Sequence, residues 1–289
     1  FLEHAAFTGG DIGFYQELAE TAARCKGKFV VVGILHQAFE QYASRLGTAM
    51  QQEWAKVQGR YVDIPLLASS DETLSLIGKA IQTHYPHPQN LQTASRIAKL
   101  TPNQSEARFT QLLDECWPLH PLTALMLGPA SRKRFGQNER SIFSFLTSAE
   151  PFGFSETIQT LVADEVYWPH YFWDYLKANF EPTIQASSDS HRWALTIDAL
   201  SRTEARFPLL HVQLVKTIGL IELFRSGLAI SAKLELLHAS VPYSEAEINT
   251  ALQDLAQASV LIFRKHLGAW AIYAGSDFDI DEALSAAKQ

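Results

Sequence analysis

The chain of 289 residues is short of the features that would place it quickly. It has only two cysteines, Cys25 and Cys116, which are isolated and have no metal-site spacing. No window approaches the roughly 18 uninterrupted apolar residues that a membrane-spanning helix needs. The opening FLEHAAFTGG has neither the basic start nor the long apolar region of a secretory signal, so a cytoplasmic protein with no membrane partner is expected. That opening also lacks an initiator methionine and starts abruptly on apolar residues, which reads as a fragment of a longer polypeptide. No GxxxxGK[ST] occurs, so the backbone nest and the phosphate-contacting lysine of a nucleotide site are missing; GKFVVVG and GGDIG do not replace them. The ten histidines are scattered without HExxH or a Cys/His cluster, and zinc is not expected. Hydrolase chemistry ranks last, because no nucleophile elbow or compact acid/base cluster appears.

What is present is core-building material. Hydrophobic residues make up 47% of the chain, with six Trp and seventeen Phe. At 289 residues the chain is long enough for two or three compact units. The formal net charge of -7 argues against a general nucleic-acid coat but leaves local basic sites open.

One such site lies in residues 119–146. Between the apolar runs Leu122–Pro129 and Ile142–Leu146 sit Arg132, Lys133, Arg134, Gln137, Asn138, Glu139 and Arg140, four basic side chains against one acid. Arginines presented this way suit a phosphate or an acidic partner surface, the alternative being a solvated corner of a helical domain.

Along the chain, Asp11–Arg24 has the periodicity of a helix. Phe29–Leu35, FVVVGIL, is a near-continuous apolar run with three valines that predicts a central parallel strand covered on both faces. His36, Gln37 and Gln41 follow its C-terminal end, the side on which open α/β sheets bind ligands, or else cap a helix or make a turn. Tyr61–Leu66 alternates like a short strand ended by Pro65. Arg60 stands just before it, facing a neighbour or simply the solvent.

From Asp71 the pattern changes to helices punctuated by prolines, with a loop at HYPHPQN, 84–90. Helices are predicted over 105–116, 121–135, 139–147, 155–166, 170–179, 190–206 and 208–225. The aromatic stretch YWPHYFWDYL carries no interleaved arginine and is expected to pack as core. The last sixty residues read as helix (ISAKLELLHAS), helix (opened by a capping box from Ser244 to Glu247) and hairpin (VLIFRK, AWAIYA), the order of a winged helix. Residues 244–289 contain seven acids and three Lys or Arg, which favours an intramolecular or protein-contacting role over DNA.

FLEHAA, DIGFYQELAE, VVVGILHQAFEQYA, EWAKVQGRYVDIPL, WPLHPLTALMLGPASRKRFGQNERSIFSFLTSAEPFGF and IYAGSDFDIDEAL together resemble a family of large bacterial P-loop ATPases of the AAA+ type. Relatives of these occur in BREX-like antiphage defence systems and, more remotely, among origin-recognition and helicase-loader ATPases. The resemblance covers essentially the whole chain, and GQNERSIFSFL is its most specific block.

The resemblance implies an α/β remnant of a P-loop AAA+ core over 1–70, with Walker A and Walker B upstream. A mostly helical lid and extension over 71–227 and a winged-helix-like module over 228–289 would follow. It implies that His36 and Gln37 match a sensor position, that Arg60 matches an arginine finger acting on a neighbouring subunit's nucleotide, and that Arg140 is a second sensor in the lid, with Arg132 and Arg134 beside it. Glu139 could instead lock Arg140 in a salt bridge. ATP and Mg2+ would be bound by the full-length protein and not by this chain alone. The expected partners are further copies of the same protein and the other proteins of a multi-component system, with DNA left open. The competing expectation is a non-enzymatic helical and winged-helix adaptor that binds protein or DNA.

Overall fold

The computed structural model describes residues 12–35, 39–43, 46–64, 69–81, 88–102, 104–133, 142–147, 149–162 and 165–275. The chain divides into two compact units, Phe1–Leu67 and Ala68–Gln289. The described residues are mostly helical, and their only sheet has two strands.

The first unit holds α1 (Gly13–Arg24), α2 (Phe39–Ala43) and α3 (Thr48–Gln58). Its core is small: Ile12, Tyr42, Ala43, Trp54 and Val57, with Tyr15, Phe39, Leu46 and Tyr61 against it. Phe39 lies 5.4 Å from the Trp54 ring, and the Tyr61 hydroxyl donates to the Tyr15 carbonyl at 2.7 Å, tying the segment after α3 back to α1.

The strand expected at 29–35 is absent among the described residues. This run is irregular and makes no backbone hydrogen bond to another described residue. Its side chains face outward, with Val30 75%, Val32 79% and Ile34 86% exposed, and after α3 Val62 and Ile64 are 86% and 75% exposed. A strand takes its hydrogen bonds from a neighbour and buries its faces on other elements; β-branched composition supplies neither.

The second unit is built on one long helix. It contains α4 (Ser70–Ile81), α5 (Pro88–Leu100), α6 (Glu106–Asp114), α7 (Pro121–Arg132), α8 (Ile142–Thr147), α9 (Phe154–Ile158), α10 (Pro169–Gln185), α11 (Ser190–Glu204) and α12 (Leu209–Leu228). α12 has Val212, Leu214, Val215, Ile218, Leu220, Ile221, Leu223 and Phe224 buried on successive turns, so it is apolar nearly all round. Such a helix must be enclosed, and α7, α10 and α11 enclose it. Close approach depends on small residues: a Cβ on Gly219 would collide with Cγ2 of Thr196 in α11, and one on Gly227 would lie 2.9 Å from Cβ of Pro129 in α7. The expected aromatic stretch is core: Tyr167, Phe172, Trp173 and Tyr175 are buried, and Trp173 stacks on Trp193 at 4.3 Å.

α12 ends at Ala229, in the left-handed region with φ 52°, and the chain turns so that Ala232 bridges antiparallel to Trp270. α13 (Leu234–His238) and α14 (Glu245–Gln257) follow, then β1 (Leu261–Arg264) and β2 (Ala269–Ile272), paired Leu261 to Ile272 through Arg264 to Ala269. The Ser244 hydroxyl accepts from the Glu247 N–H and the Glu247 carboxylate accepts from the Ser244 N–H, so the predicted capping box is formed. Residues from α13, α14, β1 and β2 share one apolar core with the helices before them.

Several predicted boundaries differ. α5 takes in Pro88, part of the predicted loop, because proline at the start of a helix lacks only an N–H that has no intrahelical partner there. ISAKLELLHAS is not one helix: Ala232 is drawn into the bridge to Trp270, and the helix begins at Leu234. The helix expected at 155–166 stops at Ile158. Pro182, expected near a helix end, lies inside α10, where it forfeits one backbone bond.

Candidate functional site

α7 delivers the root of the basic cluster. His120 caps this helix, its Nδ1 accepting from the Leu122 N–H at 3.2 Å, and Pro121 occupies the first turn. At the other end Arg132 is exposed, whereas Lys133 turns inward. Lys133 Nζ donates to Asp189 Oδ2 and to the Leu223 carbonyl, both at 2.6 Å, and lies 5.8 Å from the centre of the Phe224 ring. Asp189 also accepts from Arg192 at 3.3 Å. One of the four cluster cations therefore joins α7 to the start of α11 and the end of α12. Arg134, Glu139 and Arg140 lie outside the described residues, as do His36 and Gln37.

Arg60 is described, and it is paired. Its Nη1 lies 3.3 Å from Glu20 Oε1 on α1. The same carboxylate accepts from Gln16 at 3.1 Å and from Arg24 at 3.4 Å. The Gln16 hydrogen bond holds the Glu20 carboxyl below its usual range against desolvation, with Arg60 and Arg24 adding smaller downward pulls.

A buried polar seam lies between α10 and α12. His170 and Asp174 are four residues apart on α10, and Gln213 and Lys216 three apart on α12. Lys216 Nζ donates to both Asp174 oxygens at 2.7 and 2.8 Å, and the ring Nε2 of His170 lies 3.3 Å from Gln213 Nε2. Among the described residues His170 Nδ1 and Gln213 Oε1 find no partner. His120 stacks on Trp168 at 4.8 Å, with its Nε2 2.7 Å from the Ala239 carbonyl oxygen; because Nδ1 accepts, Nε2 carries the proton and donates.

Burial pushes the His120 ring down to about 4 and, with the Lys216 charge beside it, the His170 ring down to about 3. Both are neutral at neutral pH. Burial raises the Asp174 carboxyl against the opposing pull of Lys216. This seam was not among the sequence candidates, although polar pairs at helical spacing on two otherwise apolar helices are a readable signal.

α14 turns an acidic face outward and is fastened at both ends. Glu245 lies 3.8 Å from Arg96 of α5, and Asp254 lies 3.3 Å from the His211 ring of α12. Glu247, Gln253 and Gln257 are exposed. The hairpin has a different character: Phe263 faces Trp270 at 5.3 Å, and Arg264, Lys265 and His266 lead into the turn.

No group of three or more His, Cys, Asp or Glu among the described residues could hold a metal ion. Burial pushes the Cys116 thiol up to about 12, which keeps it protonated and removes it as a nucleophile. Among the described residues no helix is long and apolar enough to cross a membrane. Comparison with protein-family models, with curated proteins and with solved structures finds no match to this chain.

Proposed function

We propose that this chain is the C-terminal part of an ATP-driven switch of the AAA+ type, with its phosphate-binding core supplied by other residues. The observation that carries the reading is the state of the first unit. Two apolar segments, 29–35 and 61–64, expose β-branched side chains and lack strand partners among the described residues. Large exposed apolar surface of this kind marks an interface, and backbone without strand partners leaves room for the addition of further strands. A parallel sheet completed around 29–35 would put His36 and Gln37 at its ligand-binding edge and Arg60 at the border of the core.

In this reading 71–227 is the helical lid and extension, and 228–289 is a winged helix whose first strand is reduced to the bridge at Ala232. Mg2+-bound ATP supplies the phosphoryl group, and this chain's residues position and stabilise. Arg60 acts on a neighbouring subunit's nucleotide, Arg140 senses the terminal phosphate from the lid, and Arg132 and Arg134 add positive charge. Homo-oligomers, and a role in antiphage defence or DNA handling with other proteins, belong to the same proposal.

The test is ATP turnover by the full-length protein. Arg60→Ala should lower turnover on the order of 10³-fold, and mixing it with a subunit unable to bind ATP should restore activity, as a residue acting across an interface requires. Absence of ATP binding by the full-length protein would overturn the reading.

A second reading has its own support in the acidic, fastened α14: a non-enzymatic adaptor whose winged helix contacts protein. A complete protein of about this length that binds no nucleotide would favour it.

A further inference from the structure

The side chain nominated as an arginine finger is held within its own unit. Arg60 follows α3, its neighbour Tyr61 is fixed by the hydroxyl bond to the Tyr15 carbonyl, and its guanidinium reaches Glu20 on α1. One terminal nitrogen of that guanidinium lies 3.3 Å from Glu20, so a phosphate presented by a neighbour has to draw the side chain from this carboxylate to bind it with the full planar fork. Glu20 is in turn shared. Gln16 and Arg24, four residues to either side on the same helix, donate to the carboxylate that Arg60 uses.

We propose that Glu20 is a holding residue for Arg60, competing with the nucleotide phosphate for the guanidinium, and that Arg24, paired with the other oxygen of the same carboxylate, weakens the hold by offsetting part of its charge. This rests on the assignment of Arg60 to a neighbouring nucleotide. The pair suits such a role because it is partly exposed and can exchange. Glu20 and Arg60 keep about a third and a half of their side-chain surface accessible, so separating them strands neither charge in an apolar environment. A terminal phosphate with more negative charge and more acceptor oxygens outcompetes one carboxylate only when it is correctly placed. The hold therefore suppresses turnover by isolated subunits and yields in the assembled one.

The sign of the effect separates competition from simple support. Glu20→Gln keeps the shape and the amide contact to Gln16 while removing the charge. In the full-length protein it should raise kcat/KM for ATP by about 2- to 5-fold, the range a surface ion pair can withhold through the competent fraction. Arg24→Ala, which leaves Glu20 more fully to Arg60, should lower it. Glu20→Asp should stay near wild type. In an Arg60→Ala background the Glu20→Gln gain should vanish, and the thermal midpoint of each variant should stay close to wild type.

A fall with Glu20→Gln, equal changes in the same direction for Glu20→Gln and Arg24→Ala, or a gain that persists without Arg60 would overturn the hold while leaving the finger intact. If Arg60→Ala itself leaves turnover unchanged, the finger assignment fails and the hold with it.

Discussion

The two units make opposite use of apolar sequence. In 68–289, Leu, Ile, Val and aromatic side chains on α12 meet partners on α7, α10, α11 and α14, and the buried set is continuous from Leu74 to Ile272. In 1–67 the run with the densest β-branched content, 29–35, lies exposed while a handful of side chains around Trp54 form the core. Helices complete their own backbone hydrogen bonds and need only a packed face, so the second unit's described elements satisfy one another. Strands need other strands. The first unit's sequence asks for a sheet that its described residues do not contain.

The largest test of this contrast removes a ring from the centre of the second unit. Phe224→Ala should destabilise 68–289 by about 3–5 kcal/mol, read as a lowered denaturation midpoint, with the fluorescence change of Trp54 in the first unit unaffected. A common shift of both signals would break the comparison.

Acid should act on the second unit in the same direction. His120 and His170 have folded pKa values of about 4 and about 3, below the ordinary 6.5. The unfolded chain therefore binds protons first, and the stability these neutral rings contribute is complete above pH 6.5. It is lost as pH falls through the window between 6.5 and the folded values, by up to ~3 kcal/mol for His120 and ~5 kcal/mol for His170. The raised Asp174 works with the opposite sign at the lower end of that window. Denaturant midpoints measured between pH 7.5 and 4.5 check this, and His170→Gln should flatten the slope. A flat wild-type profile would contradict the buried neutral assignment.

Lys133 sharpens the contrast within one side chain. Lys133→Met removes a half-buried charge from Asp189 but leaves Arg192 as a partner, so the loss should be about 1–3 kcal/mol, again in the midpoint of the second unit. Arg96→Ala, which breaks an exposed pair with Glu245 at 3.8 Å, should cost less than about 0.5 kcal/mol.

What could be read in the sequence was whatever neighbours in the chain decide. The Ser244–Glu247 capping box, the hairpin between Leu261 and Ile272 and the proline-opened starts of α7 and α10 depend on residues within a few positions. The dominance of α12 was less legible, since an apolar run shows burial but not which elements will surround it. Lys133 was read as one of four surface cations, because nothing local announces that Asp189 and the Leu223 carbonyl will come within 2.6 Å. Of the site candidates, Arg60 is fastened to Glu20 and Arg132 is exposed at the end of α7, while His36, Gln37, Arg134 and Arg140 lie outside the described residues. The strand at 29–35 was predicted from composition, and composition gives a preference without the partner that would realise it.

The most direct measurement is amide hydrogen exchange across 29–35 and 61–64, in this 289-residue chain and in the full-length natural protein. The account predicts exchange near the unprotected rate in the isolated chain and strong protection in the full-length protein, where neighbouring strands bond these amides. Equally fast exchange in both would mean that no sheet is completed there, and the reading of the first unit as part of a larger α/β core would fall.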